Sequence, residues 1–229
     1  MPSLDDVSQI VFSSTAAVFG NPISEAIDEE HPRSPINPYG ASKLMAERFL
    51  ADAVHAYGLR SVTLRYFNAA GALPEHGIGE AHACETHLIP NVLRAALGQG
   101  PALKVFGNDY DTADGTCVRD YVHVQDLAQA HALALGFMAR EAGAHTFNLG
   151  NAQGFSVQEV IATAASVTGV QIPYDVAPRR AGDPARLVAS SEKARRVLGW
   201  TPQWTALEPI IESAWRWHRD PPSWSPHHP

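Results

Sequence analysis

Residues 7–12 end in three consecutive apolar side chains, Ile10, Val11 and Phe12, the pattern of a short strand covered on both faces. Residues 61–66 and 145–149 repeat it, and residues 103–107 read as a further short strand running into a turn. Between these the period changes. Leu44, Met45, Leu50 and Val54 recur at near-helical spacing and predict a helix over residues 39–56 whose apolar stripe packs into the core. Asn37 suits the N-cap of that helix, Pro38 its first position and Gly58 its end. Further helices are predicted at residues 89–97, 125–140 and 156–167, the last opened by Ser156 and Glu159 at capping-box spacing. Residues 190–199 and 206–217 read as closing helices, with Trp200, Trp204, Trp215 and Trp217 as core or interface. Residues 23–38 and 68–85 read as irregular polar loops, and residues 220–229 as a disordered tail.

The chain has 229 residues, 45% of them hydrophobic, enough for one large domain or two small ones. Its net charge of −7 argues against a phosphate-backbone partner, so no nucleic acid is expected. Neither an apolar run of about 18 residues nor a charged-then-apolar leader is present, and no membrane span or signal peptide is expected. Cys84 and Cys117 lack a Cys-x-x-Cys spacing, which suits a reducing compartment; the expected location is the cytoplasm. His76, His82 and His87 fall close together, but their spacings are loose and the sequence places no second-shell carboxylate, so no metal site is expected.

Candidate chemistry begins in Ser34-Pro35-Ile36-Asn37-Pro38-Tyr39-Gly40-Ala41-Ser42-Lys43. A helix opening at Pro38 carries Tyr39 and Lys43 one turn apart on one face. A cation beside a phenol favours the phenolate, which makes the pair a candidate general acid/base. Taken alone, the spacing also fits a tyrosine packed on a strand and a solvated lysine. Ser13, Ser14 and Thr15 deliver hydroxyls to the carboxyl end of the first strand, where α/β sheets place their ligand crevice.

Three stretches carry a resemblance: Phe12-Ser13-Ser14-Thr15-Ala16-Ala17-Val18-Phe19-Gly20, then Pro38-Tyr39-Gly40-Ala41-Ser42-Lys43, then Leu64-Arg65-Tyr66-Phe67-Asn68-Ala69-Ala70-Gly71. Together they resemble the extended short-chain dehydrogenase/reductase family. Within it, Gly107-Asn108-Asp109-Tyr110, the run Asp114-Gly115-Thr116-Cys117-Val118-Arg119-Asp120-Tyr121-Val122-His123-Val124 and Ala177-Pro178-Arg179-Arg180-Ala181-Gly182-Asp183 are similar to the UDP-glucose 4-epimerases. The resemblance runs over nearly the whole chain.

It implies an α/β fold: the C-terminal part of a doubly wound, Rossmann-type parallel sheet (residues 1–68 and 119–150) with a smaller α/β substrate domain (residues 69–118 and 151–219). It implies NAD as cofactor and the interconversion of UDP-galactose and UDP-glucose through a 4-keto sugar, in galactose metabolism, with a homodimer as the expected assembly. Tyr39, Lys43 and Thr15 are then the catalytic residues, and Tyr39, Lys43, Ser13 and Phe67 meet the cofactor. Asn68, His87, Leu88, Phe106, Arg119, Tyr121, Arg180, Asp183 and Leu187 meet the nucleotide sugar, Phe106 at the uracil and Arg119 with Arg180 at the diphosphate. A salt bridge to Asp120 is the competing role for Arg119. Thr15 stands where the family commonly has serine, with the same donor and acceptor capacity. Leu187 lies where a large residue excludes N-acetylated sugars, so UDP-galactose is expected to be favoured over UDP-N-acetylgalactosamine.

One family feature is missing. Gly77-Ile78-Gly79 is the nearest approach to a glycine-rich phosphate loop, but His82 stands at the third glycine position. By the family's pattern about the first hundred residues are absent, and the opening strand should lack a neighbour on one edge. Two other readings follow. Related dehydratases and decarboxylases place a carboxylate beside the catalytic hydroxyl, and Ser14-Thr15-Ala16 has none. A remnant that binds a nucleotide sugar or a protein without catalysis is the other.

Overall fold

The structure is a computed structural model that describes residues 7–180 and 182–221. The tail predicted from residue 220 lies, beyond Pro221, outside the described residues.

In chain order the elements are β1 (Gln9–Thr15), α1 (Pro38–Tyr57), β2 (Arg60–Tyr66), β3 (Asn68–Ala70), α2 (Leu88–Ala96), β4 (Leu103–Phe106), β5 (Val118–Arg119) and β6 (Tyr121–His123). They continue with α3 (Val124–Met138), β7 (Ala144–Leu149), β8 (Phe155–Ser156), α4 (Val157–Thr168), β9 (Tyr174–Ala177), β10 (Arg186–Leu187) and α5 (Leu207–Arg219). Local chemistry sets several boundaries. The Asn37 side chain accepts the Gly40 N–H at 2.8 Å, and Gly58 closes α1 in the left-handed region at φ 70°. At α4 the Ser156 hydroxyl and the Glu159 carboxylate cap each other's backbone N–H groups.

The main sheet has the order β1-β2-β7, parallel throughout. Ser14 pairs in register with Arg65, Thr15 with Tyr66, and Tyr66 with Leu149. Successive side chains of a strand point to opposite faces, and the hydroxyls of β1 obey this. Ser13 Oγ meets His131 of α3 at 3.1 Å, while Ser14 Oγ donates to Glu47 of α1 at 2.5 Å. The sheet is thus covered by α1 on one face and α3 on the other, the doubly wound arrangement. Among the described residues, β1 has β2 as its one strand partner.

A second apolar cluster gathers α2, α4 and α5 around β4, with Val92, Leu93, Val105, Val160, Ile210 and Ile211 buried in it. There β4 pairs with β9, and β5 lies between β10 and β8. Asn68 of β3 pairs in register with Tyr121 of β6. Ser213 of α5 ties these parts together: its buried hydroxyl accepts the Ala72 N–H at 3.2 Å, meets His123 Nε2 at 3.1 Å and donates to the Ile210 carbonyl at 2.8 Å.

Two expectations are corrected. The stripe on α1 faces the core only in part: Leu44, Leu50 and Val54 are half-buried, Leu44 against the cluster of Val18 and Phe19, whereas Met45 is 58% exposed and the fully buried positions of the helix are Gly40 and Glu47. Gly40 fits under the Ala17 carbonyl, where a Cβ would stand 2.3 Å away, and Glu47 turns inward to Arg65. The helix expected over residues 190–199 is present but shorter: residues 192–198 are helical, with a wide turn at Ala194–Leu198 stopped by Gly199 at φ 70°. Trp200 and Trp217 are buried, as a core role requires. No described helix is long and apolar enough to cross a membrane.

Candidate active site

The candidate proton-transfer groups meet at the carboxyl end of β1 and the first turn of α1. Lys43 Nζ donates to the Ser13 carbonyl at 3.0 Å and stands 5.8 Å from the centroid of the Tyr39 ring and 5.0 Å from that of Phe12. Tyr39 is 56% exposed, so its ring is not the strand-packing tyrosine that the bare spacing also allows. Thr15 is buried and its hydroxyl accepts the Ala17 N–H at 3.1 Å, with its proton left to donate. The Ser13 hydroxyl faces α3, leaving its carbonyl on the Tyr39 side.

A cavity of about 470 Å³ lies beyond the end of β2. Asn68, His87, Leu88, Phe106, Arg119, Tyr121, Arg180 and Asp183 all line it. Leu187 does not. It packs with Phe67 against the small cluster of Ala16, Val18, Phe19 and Ile27. Asn68 lies two positions past Tyr66, the register partner of Thr15, so the cavity begins where β1 ends.

Charge in the cavity is arranged differently from the simplest sequence reading. Arg119 pairs with Asp183, not with Asp120, and also donates to the Val118 carbonyl at 2.7 Å. Asp120 is fully buried and accepts the N–H groups of Asn151, Ala189 and Ala152 at 2.6, 3.1 and 3.2 Å. Burial outweighs those bonds and raises its carboxyl to about 6. Arg180 lies over the Phe106 ring, 4.0 Å from its centroid, so the face expected to meet a base carries a guanidinium. Arg179 is held by Asp109 at 2.7 Å and by the Tyr110 ring, whereas among the described residues no carboxylate lies within bridging distance of Arg180. Tyr121 is buried and burial pushes its phenol upward, so it stays a neutral donor.

Arg94 and Lys104 also line the cavity and escaped the sequence reading. For Lys104 the signal is alternation: it stands exposed between the buried Leu103 and Val105 of β4. Arg94 carries no comparable signal, because only the fold brings α2 to this wall.

The residues present fit one end of a dinucleotide. Lys43, Tyr39 and Thr15 can meet a nicotinamide and its ribose, but Gly77-Ile78-Gly79 cannot cradle a pyrophosphate. Leu73 and Ile78 bridge each other there, and a Cβ at Gly79 would stand 2.1 Å from the Trp217 ring, so that glycine serves packing. A carboxylate does approach the Ser14-Thr15 step, yet Glu47 is locked by Arg65 and is no free acid.

A family model described as GDP-mannose 4,6 dehydratase matches residues 3–213. The UDP-glucose 4-epimerase of Halalkalibacterium halodurans is 54% identical over 217 residues, 95% of this chain and 65% of that protein. A crystal structure of a UDP-glucose 4-epimerase superposes with a TM-score of 0.91 at 50% identity, over 95% of this chain and 66% of its own. The enzyme from Bifidobacterium longum, solved in complex with NAD+ and UDP, superposes with a TM-score of 0.86 at 40% identity, over 93% of this chain and 64% of its own. The chain therefore spans about two thirds of the length of these relatives. By the match over residues 3–213 the chain belongs to the family described as GDP-mannose 4,6 dehydratase, and at about half identity it is similar to UDP-glucose 4-epimerases.

Proposed function

We propose that this chain carries the nucleotide-sugar-binding and proton-transfer groups of a UDP-glucose 4-epimerase, acting on UDP-galactose and UDP-glucose in galactose metabolism. The observation that carries this reading is the cavity in which Asn68, Phe106, Arg119, Tyr121 and Arg180 converge next to the strand end that bears Thr15. Its volume suits a ligand of nucleotide-sugar size. Arg180, with no carboxylate partner among the described residues, and Arg119, displaced from Asp183, would grip a diphosphate through parallel hydrogen bonds.

In the reaction Tyr39 takes the proton of the sugar 4-hydroxyl through its phenolic oxygen and returns it after the 4-keto sugar has turned its other face. The Thr15 hydroxyl holds that oxygen in line. Lys43 stabilises negative charge on the Tyr39 side and is placed to bond a ribose hydroxyl. NAD, the cofactor in the Bifidobacterium longum structure, supplies hydride removal and return when bound. Dehydration is disfavoured because Glu47, the carboxylate near Thr15, is committed to Arg65 and Ser14. A second copy of the chain is the partner proposed for the exposed face of α1 at Met45 and Phe49. Cys84 and Cys117, both free, favour the cytoplasm.

A second reading has a specific observation behind it: Gly77-Ile78-Gly79 is a packed turn and no phosphate cradle, which favours a nucleotide-sugar binder without redox activity. Calorimetry with UDP, followed by conversion of UDP-galactose with NAD added, separates the two. UDP binding with turnover that Tyr39→Phe abolishes is the expected result. Binding without turnover would leave the binder, and no UDP binding would overturn both.

A further inference from the structure

Glu80, His82, Glu85 and His87 each bring one donor atom into a group whose members all lie within 4.8 Å of one another. The Nδ1 atoms of His82 and His87 both face one oxygen, Glu80 Oε1, at 2.8 and 2.6 Å. Glu85 Oε1 lies 2.8 Å from His87 Nδ1 and also accepts the backbone N–H groups of Thr86 and His87, each at 2.7 Å. Those bonds fix the carboxylate and leave Oε2 turned toward His82 Nδ1, 3.8 Å away. Glu80 and Glu85, each two residues before a histidine, turn their carboxylates to the imidazoles, while His76 stays outside the group. Two imidazoles and two carboxylates suit zinc and its first-row neighbours; magnesium and calcium take oxygen ligands.

We propose that Glu80, His82, Glu85 and His87 form a binding site for one divalent cation of the zinc class, on the wall of the large cavity to which Glu85 and His87 also belong. At metal–ligand distances of about 2.1 Å, tetrahedral ligand atoms stand about 3.4 Å apart, so the closest contacts open by less than about 1 Å on binding. The side chains of His82 and His87 are 59% and 50% exposed and can make that movement without disturbing the core. The backbone on either side is already held. The Glu80 carbonyl accepts Trp217 Nε1 at 2.8 Å, and the His87 carbonyl accepts the Asn91 side chain at 2.9 Å. All four ligands come from a segment of eight residues, so the site closes at little cost in chain entropy. Without an ion the same contacts are ordinary hydrogen bonds between imidazoles and carboxylates.

The test is a titration of the whole 229-residue chain, reduced, with cobalt(II), read by visible absorption, then competition with zinc and calorimetry with zinc alone. One ion per chain is expected, with the intense visible bands of four-coordinate cobalt, displaced by zinc and not by magnesium. Glu80→Gln and His82→Ala should each weaken binding about tenfold or more, the loss typical of disturbing a metal site. His82→Gln, a milder change at this exposed position, should do the same, which separates ligand loss from unfolding. A double variant of the tail histidines, His227→Ala with His228→Ala, should bind as tightly as the native chain. Binding that disappears with the tail histidines, or that survives unchanged in Glu80→Gln and His82→Ala, overturns the proposal.

Discussion

Arg65 donates two hydrogen bonds to Glu47, from Nε at 3.0 Å and from Nη2 at 2.6 Å, and both side chains are cut off from solvent. Glu47 also accepts from Ser14, the register partner of Arg65, so one carboxylate of α1 ties two adjacent strands of the sheet just below Thr15. Removing one member leaves a buried charge unpaired. Glu47→Ala should therefore destabilise the fold by about 3–5 kcal/mol in urea unfolding. The double variant Glu47→Ala with Arg65→Met should recover part of that loss, and strictly additive losses would contradict the pairing.

Arg179 and Arg180 are adjacent in sequence and unequal in role. Arg180 faces the cavity over Phe106, and Arg179 is spent on Asp109 and the Tyr110 ring. Arg180→Ala should weaken UDP binding about tenfold to a hundredfold, the range for a charge-assisted bond to phosphate, and flatten its salt dependence. Arg179→Ala should change it by about twofold or less, since an exposed ion pair contributes little. Equal effects of the two in calorimetry would argue against Arg180 as the diphosphate ligand.

His123 is fully buried, stacks on Trp204 at 4.0 Å between centroids and accepts the Gln125 N–H through Nδ1. Burial lowers its pKa to about 4 from 6.5, so the native state resists taking up a proton that the unfolded chain accepts. The stability that depends on neutral His123 is present above pH 6.5 and is lost as pH falls toward 4. Melting temperatures of the native chain and of His123→Asn should thus converge between pH 7 and pH 4.5; a gap that stays constant would exclude this role.

Asp120 behaves with the opposite sign. Its folded pKa of about 6 exceeds the usual 3.8, so its share of stability is present below 3.8 and is lost as pH rises through 6. A shift of that size corresponds to about 3 kcal/mol. The advantage of the native chain over Asp120→Asn should shrink by about that amount between pH 4 and pH 7 in denaturant titrations. Growth of the advantage over the same range would reverse the assignment.

The sequence made legible whatever is specified locally. Asn37, Pro38 and Gly58 bracket α1, Ser156 and Glu159 start α4, and the apolar runs of β1, β2 and β7 follow from a strand covered on both faces. The family resemblance brought eight cavity residues onto the page before any coordinates, five of them inside the long motifs. What stayed hidden depends on contacts between distant positions. The outward turn of Met45 follows from Glu47 being drawn in by Arg65. The two-residue strands β5, β8 and β10 are too short to show a period, and Leu187 reaches the Phe67 cluster through them. Glu80, His82, Glu85 and His87 lie within eight residues, but their irregular loop has no period from which their convergence could be read.

Ala72 and Ser213 are joined across 141 positions, and His123 and Ser213 across 90. During synthesis β1, α1 and β2 emerge before α5 and can pair as they appear. The Ala72 N–H, next to the β3 wall of the cavity, has to wait with its bond unmade until α5 has cleared the ribosome. The β3 side of the cavity is thereby tied to the docking of α5, and a nascent chain arrested before residue 213 would display the sheet and the Tyr39–Lys43 pair with that side unsupported.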